Sequence, residues 1–158
     1  MKGNLAAVLL SSLLLPSSGC SLLVPGVLVP QTTVAHFYPI AGPLAARNPV
    51  PAIKAESSGN LFFENIEIAL PDGEHFTGKS RQVSPGESVN NDLAPSWDLV
   101  FGAGHCRAVV LGAPQHRRAT MIGDRGTTLA METASFESAG SGEGVAQDSK
   151  GNVYKIGQ

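Results

Sequence analysis

Charge is scarce in this chain, and its balance removes one class of function at once. Only 15% of the 158 residues are Asp, Glu, Lys or Arg, with 11 basic against 13 acidic side chains. The formal charge of −2 provides no global polycation for nucleic acid. Cysteine is sparse too, with only Cys20 and Cys106. No nucleophile-elbow pattern is present, which removes the usual sequence sign of a serine hydrolase. Gly140-Ser141-Gly142-Glu143-Gly144 has neither the closing Lys-Ser/Thr pair nor the strand-then-helix setting of a phosphate loop, and reads as a hairpin tip. His105-Cys106 would be a start towards a metal or nucleophile site. Neighbours in a strand point to opposite faces, however, and His75 and His116 join them only by unsupported assumptions about the fold. These residues therefore assign no catalytic, cofactor-binding or metal position.

What the chain does have begins at its N-terminus. Lys2 forms a short positive region, and Leu5 to Leu15 is an uncharged stretch rich in Leu, Val and Ala. Its length is that of the apolar region of an export signal. Pro16 breaks any helix begun there, and the small residues Ser17, Ser18 and Gly19 lead directly into Cys20. This order resembles the lipobox of bacterial lipoproteins. The resemblance implies a signal peptide over residues 1–19, diacylglycerol on the Cys20 thiol, fatty acylation of the new N-terminus, and a membrane partner reached through that anchor. Two other readings stay open: cleavage by an ordinary signal peptidase to a soluble product, or retention of the segment as a membrane anchor. No charged residue occurs from Gly3 through Ala35, which favours retention, but Pro16, Gly19, Pro25, Gly26 and Pro30 would interrupt a spanning helix. Ser21 after the cysteine resembles the outer-membrane sorting pattern of enteric lipoproteins and implies a location on the outer membrane, facing the periplasm. With Cys20 acylated, Cys106 is left alone, so no intrachain disulfide forms, and a lone cysteine is most often buried as a small hydrophobe.

Cleavage before Cys20 removes 19 of the 158 residues, which leaves one modest domain and a tether. Six prolines between residues 21 and 58 predict an extended spacer, so residues 20–58 read as a lipidated N-terminus and Pro-rich tether. Residues 59–158 read as a small β-domain. Ile66, Ile68 and Leu70 alternate with Glu67 and Ala69, and Pro71-Asp72-Gly73 then turns the chain towards a partner strand over 74–83. A loop is expected over 84–96. Trp97–Phe101 and Arg107–Leu111 read as strands, and Gly123-Asp124-Arg125-Gly126 turns between strands 119–122 and 127–136. The latter carries Leu129, Met131 and Thr133 on one face. Strands 144–148 and 153–156 flank a Ser149–Asn152 turn. Short strands with turn signals and no convincing amphipathic helix predict an all-β sandwich or barrel of antiparallel strands.

Gly126-Thr127-Thr128-Leu129 and the run from Gly142 to Tyr154 are similar to the C-terminal end of a loosely defined group of small proteobacterial lipoproteins of unknown function. Leu70-Pro71-Asp72-Gly73-Glu74 and Phe76-Thr77-Gly78 fit that group's first hairpin. Some members carry a cysteine near each of the positions of Met131 and Ala146, which implies a cross-strand bridge that packing replaces in this chain. The group carries no enzymatic residues over.

Charge is also segregated along the domain. Residues 56–98 hold eight acids against Lys79 and Arg81, whereas residues 105–125 hold Arg107, Arg117, Arg118 and Arg125 against Asp124. His116-Arg117-Arg118 is accordingly the candidate patch for an anionic lipid or an acidic envelope protein. The competing reading is a solvated loop paired with the acidic half of the same domain. The resulting expectation is a membrane-anchored envelope lipoprotein, non-enzymatic and without a cofactor, acting as a binding or structural component of unspecified oligomeric state. The alternative is a periplasmic enzyme or small-ligand carrier using a pocket in the β-domain.

Overall fold

The computed structural model describes residues 31–59, 64–84, 92–108, 110–135 and 142–157. The signal segment, Cys20 and residues 21–30 lie outside them. Eight antiparallel strands follow one another around a closed barrel: β1 (Gln31–Ala41), β2 (Ile53–Gly59), β3 (Glu64–Ala69), β4 (His75–Gln82), β5 (Gln115–Ile122), β6 (Thr128–Ser135), β7 (Glu143–Asp148) and β8 (Val153–Gly157). Closure comes from β1, which pairs with β2 on one side and β8 on the other. The all-β expectation holds, and of its two forms the barrel is the one adopted.

Two expectations are corrected. The segment read as a tether supplies β1 and β2, so the β-domain includes residues 31–58 as well as those from 59 onward. Proline is accommodated because Pro39 sits at a register shift in β1, while Pro43, Pro49 and Pro51 fall in the β1–β2 connection. Trp97–Phe101 and Arg107–Leu111 are not strands. The β4–β5 connection holds α1 (Ala94–Phe101), α2 (His105–Ala108) and a 3-10 turn (Val110–Gly112). Pro95 lies in the first turn of α1, where its missing N–H costs nothing, and Gly102 ends the helix with φ +111°. Leu93, Trp97 and Phe101 recur at a spacing of four, a helical period.

Alternation sorts the side chains into two cores. Phe37, Ile53, Ile66, Ile68, Phe76, Met121, Leu129 and Tyr154 fill the barrel interior. Outside, Leu93, Trp97, Cys106 and Val110 from the helical connection pack on Ala134 and Val145 of β6 and β7. The outward side chains of Lys54, Glu56, Glu67, Lys79 and Arg81 are exposed. No helix among the described residues is long and apolar enough to cross a membrane.

The expected turns at 71–73, 123–126 and 149–152 all lie at one end of the barrel, with Gly73, Gly126 and Gly151 at positive φ. That end is sealed by polar groups. Buried Glu74 accepts from the backbone N–H and hydroxyl of Thr127 at 2.9 and 2.6 Å and from Lys150 Nζ at 2.7 Å. Asp148 accepts from the Tyr154 hydroxyl at 2.6 Å and from Asn152 Nδ2 at 2.8 Å, and burial together with that carboxylate raises the Tyr154 pKa. Burial opposes ionisation of Glu74, but Lys150 and Thr127 outweigh it and hold the carboxyl at about 2, against an ordinary 4.5. A depressed carboxyl pKa gives stability that is complete above the ordinary value and is lost as pH falls through the folded one. The melting temperature should therefore fall as pH drops from 4.5 towards about 2. In Glu74→Gln it should be lower at neutral pH and decline less across that window, as read by thermal melts followed by circular dichroism.

The β6–β7 register sets Met131 opposite Ala146. Paired Cα atoms in an antiparallel ladder lie about 4.5–5.5 Å apart, within disulfide range. The double variant Met131→Cys/Ala146→Cys should oxidise to an intrachain disulfide, seen as a 2 Da mass loss on oxidation (about two hydrogens per bridge). A register one residue out would place the two side chains on opposite faces and prevent it.

Candidate functional site

The interior narrows in side-chain size from the turn-sealed end towards the other. On β1 the inward series runs Phe37, Ala35, Thr33; on β2 it runs Ile53, Ala55, Ser57; on β4 it runs Phe76, Gly78, Ser80. On β6 Leu129 and Met131 give way to Thr133, and β7 ends in Ala146 and Gly144. Large residues thus fill one half, and small ones leave a cavity of about 190 Å³ in the other. Two glycines shape this gradient. A Cβ on Gly78 would meet Met121 Cγ at 2.3 Å, so its absence admits the Met121 side chain to the packed half. A Cβ on Gly144 would stand 2.9 Å from Ile156 Cβ and 3.0 Å from Thr133 Cγ2, at the cavity wall.

The cavity lies at the end where β1 starts and β8 finishes. Its floor is apolar, with Phe37, Ile66, Met131 and Ile156, and its rim is polar, with Thr33, Ser57, Glu64, Ser80, Arg117 and Thr133. Arg118 and Glu143 border it as well, and Arg117 is the cation whose strand position faces inward. Its Nε donates to Ser80 Oγ at 3.0 Å and lies 3.5 Å from Glu64 Oε2, and Nη2 donates to the Ser80 carbonyl at 3.3 Å. Ser80 Oγ in turn donates to Glu64 Oε2 at 3.2 Å. The side chain of Arg117 is 16% exposed and that of Glu64 35%. A second hollow of about 260 Å³ lies on the outer surface over β2–β4, bordered by the exposed Lys54, Glu56, Glu67 and His75. Its rim is solvated, and no charged group is held inside it.

The expected surface patch of His116, Arg117 and Arg118 does not form one surface. Strand alternation turns Arg117 into the barrel mouth and sends His116 and Arg118 outwards, under the helical connection. There His116 is only 3% exposed. Its Nε2 hydrogen-bonds Glu132 Oε1, which also accepts from Arg118 Nε at 2.6 Å, while Glu132 Oε2 accepts from the Trp97 indole at 2.5 Å. Glu132 itself is fully buried. The correction follows from the period of the strand: adjacent basic residues cannot share a face. Pairing with acids of the same domain is what the structure shows for both arginines.

His105 and Cys106 occupy α2, not a strand. His105 stacks with Phe101 at a ring separation of 4.9 Å, and Nε2 lies 2.7 Å from Glu143. Cys106 is buried, as expected of a lone cysteine, and its backbone N–H donates to Asp98. Backbone donors from Gly104 and Cys106 hold the Asp98 carboxyl below its ordinary range. Among the described residues no group of three His, Cys, Asp or Glu side chains is placed to hold a metal.

Comparison with protein-family models, curated proteins and solved structures gives no match for this chain.

The mouth was legible only in part. Ile53-Lys54-Ala55-Glu56 alternates as clearly as the hairpin after it, and marks β2. The apolar outward residues Val34, Tyr38 and Ile40 hide the same alternation in β1. Glu132 attaches the helical connection to the barrel, so Glu132→Ala should cost about 3–5 kcal/mol by leaving the Trp97 indole, His116 and Arg118 without their shared partner. Urea denaturation followed by the fluorescence of the one tryptophan, Trp97, measures this. A loss within experimental scatter would remove Glu132 from that role.

Proposed function

We propose that this protein is a lipoprotein of the bacterial envelope, anchored through acylated Cys20, whose barrel is a non-enzymatic binding module open towards the membrane. The observation that carries this reading is the place where the chain enters the barrel. β1 starts at the open mouth, eleven residues after Cys20. Eleven residues span at most about 40 Å, so an anchor at Cys20 keeps the mouth near the lipid surface and the turn-sealed end away from it. The order from Lys2 to Cys20 supports export and lipidation, and Ser21 supports an outer-membrane location. Two or more acyl chains hold a protein durably, at about 0.8 kcal/mol per buried methylene.

Within this reading the mouth favours small-ligand binding over a purely structural role. Concave sites with an apolar floor and a few placed polar groups are the usual form of a ligand pocket. In this cavity the Ser80 hydroxyl is engaged by both Arg117 and Glu64, an arrangement that fixes the guanidinium at the rim. An anionic lipid or acidic envelope protein as partner would have to engage Arg117 at the mouth, since His116 is buried and Arg118 is tied to Glu132.

Acyl labelling in cells should mark the full-length protein and vanish in Cys20→Ala; retained label would sink the anchor. Orientation is read separately. In the lipidated protein reconstituted into vesicles, a fluorophore at Gly157→Cys should be quenched by lipid-borne quencher more than one at Ile122→Cys. Equal or reversed quenching would refute a mouth turned to the membrane.

A further inference from the structure

We infer that the barrel mouth binds a small monocarboxylate with an unbranched apolar body of about five to seven carbons, its carboxylate on Arg117 and its tail on the barrel floor. This rests on the reading of the barrel as a binding module and adds the ligand class.

Four observations lead to it. A guanidinium has five N–H donors. Ser80 takes two of those of Arg117, and Glu64 stands on the Nε side. The remaining three donors have no acceptor among the described residues, although the side chain is largely withdrawn from water. Second, Ser80 and Glu64 hold the guanidinium from its Nε edge. A planar cation fixed in this way is prepared for an end-on carboxylate, the group whose geometry it matches. Third, the polarity is layered. Arg117 belongs to the rim, and one inward step deeper on the same strand stands Ala119, facing a floor of Phe37, Ile66 and Met131. An acid would therefore enter tail first. Fourth, the volume limits the tail. An apolar cavity of about 150 Å³ accommodates benzene, and this one offers about 190 Å³. Beyond it the fully buried side chains of Phe76, Leu129 and Tyr154 occupy the interior and block a long chain.

Glu64 decides specificity by its sign. Its carboxylate repels a second negative charge at the rim, so a dicarboxylate or a phosphate monoester is disfavoured relative to a monoanion. Its presence also explains why Arg117 is stable when no ligand is bound.

Isothermal titration of the protein with hexanoate, acetate, hexadecanoate, succinate and hexanol tests each element. Hexanoate should bind more tightly than acetate, which lacks the tail, and than succinate, which carries a second charge. Hexadecanoate should not compete with hexanoate. Arg117→Met should weaken hexanoate by about tenfold or more, the expected loss of a charge-assisted pair, and leave hexanol unchanged. Gly144→Val, which fills the cavity wall, should abolish both, and circular dichroism of both variants checks that the barrel is intact. Equal binding of acetate and hexanoate, or an unchanged hexanoate affinity in Arg117→Met, would overturn the ligand class. Binding of hexanol without hexanoate would overturn it too, while leaving the mouth as a binding site. Absence of binding by every probe would remove both the ligand class and the binding-module reading, and leave the acyl anchor to its own labelling test.

Discussion

Pairing of β1 with β8 is the contact on which the rest of this molecule depends. Local turns join β3 to β4, β5 to β6 and β7 to β8, but an eight-stranded sheet left open has two edges with unpaired N–H and C=O groups. Joining Phe37 to Ile156 and Tyr38 to Lys155 removes both edges and encloses the inward side chains. The joining residues are more than a hundred positions apart, so the closure entropy is paid late and must be met by interior packing. Phe37 and Tyr154, in an edge-to-face pair with centroids 6.0 Å apart, supply part of that packing directly at the seam.

Closure makes the two ends of the barrel unequal. At one end three tight turns bring Asp72, Glu74, Thr127, Asp148, Lys150 and Asn152 together, and large side chains pack beneath them. The buried carboxyl groups of Glu74 and Asp148 both have hydrogen-bond donors, which is what lets a polar cluster seal a small barrel. At the other end the inward residues shrink to alanine, serine, threonine and glycine, and the interior opens. A binding site at this mouth thus comes from leaving volume unfilled where the turns do not need it. The stability resides in the opposite half.

The helical connection between β4 and β5 gives the barrel a second, outer core. Its attachment is a buried carboxylate, Glu132, that collects donors from Trp97, His116 and Arg118. Burial of an ion pair is weak evidence for net stability, since desolvation consumes much of the attraction. Its geometry does impose register: only one placement of α1 brings the Trp97 indole to Glu132 while Cys106 and Val110 cover Ala134 and Val145. The same arrangement withdraws His116 from solvent and ties Arg118 to Glu132, while Arg117 faces the cavity.

Local patterns alone determined much of this architecture. The alternation Ile66-Glu67-Ile68, the shared face of Leu129, Met131 and Thr133, and the turns with Gly73, Gly126 and Gly151 are all interactions within a few residues, and they locate β3–β8 and the all-β class. The sequence also bears, before any folding, the order of residues from Lys2 to Cys20. Other features depended on contacts far apart in the chain. Whether Val34, Tyr38 and Ile40 belong to a tether or a strand is undecided locally, because an outward apolar stripe erases the period of two; β8 decides it. Whether Trp97 lies in a strand or a helix is decided by Glu132, thirty-five residues on. Whether adjacent His116, Arg117 and Arg118 form one patch depends on which face meets the interior. Closure answers that by turning the middle residue inward, to Ser80 and Glu64 from another hairpin. Short-range sterics wrote the strands and turns; only the closed barrel chose which side chains face water, which face the helices, and which line a cavity.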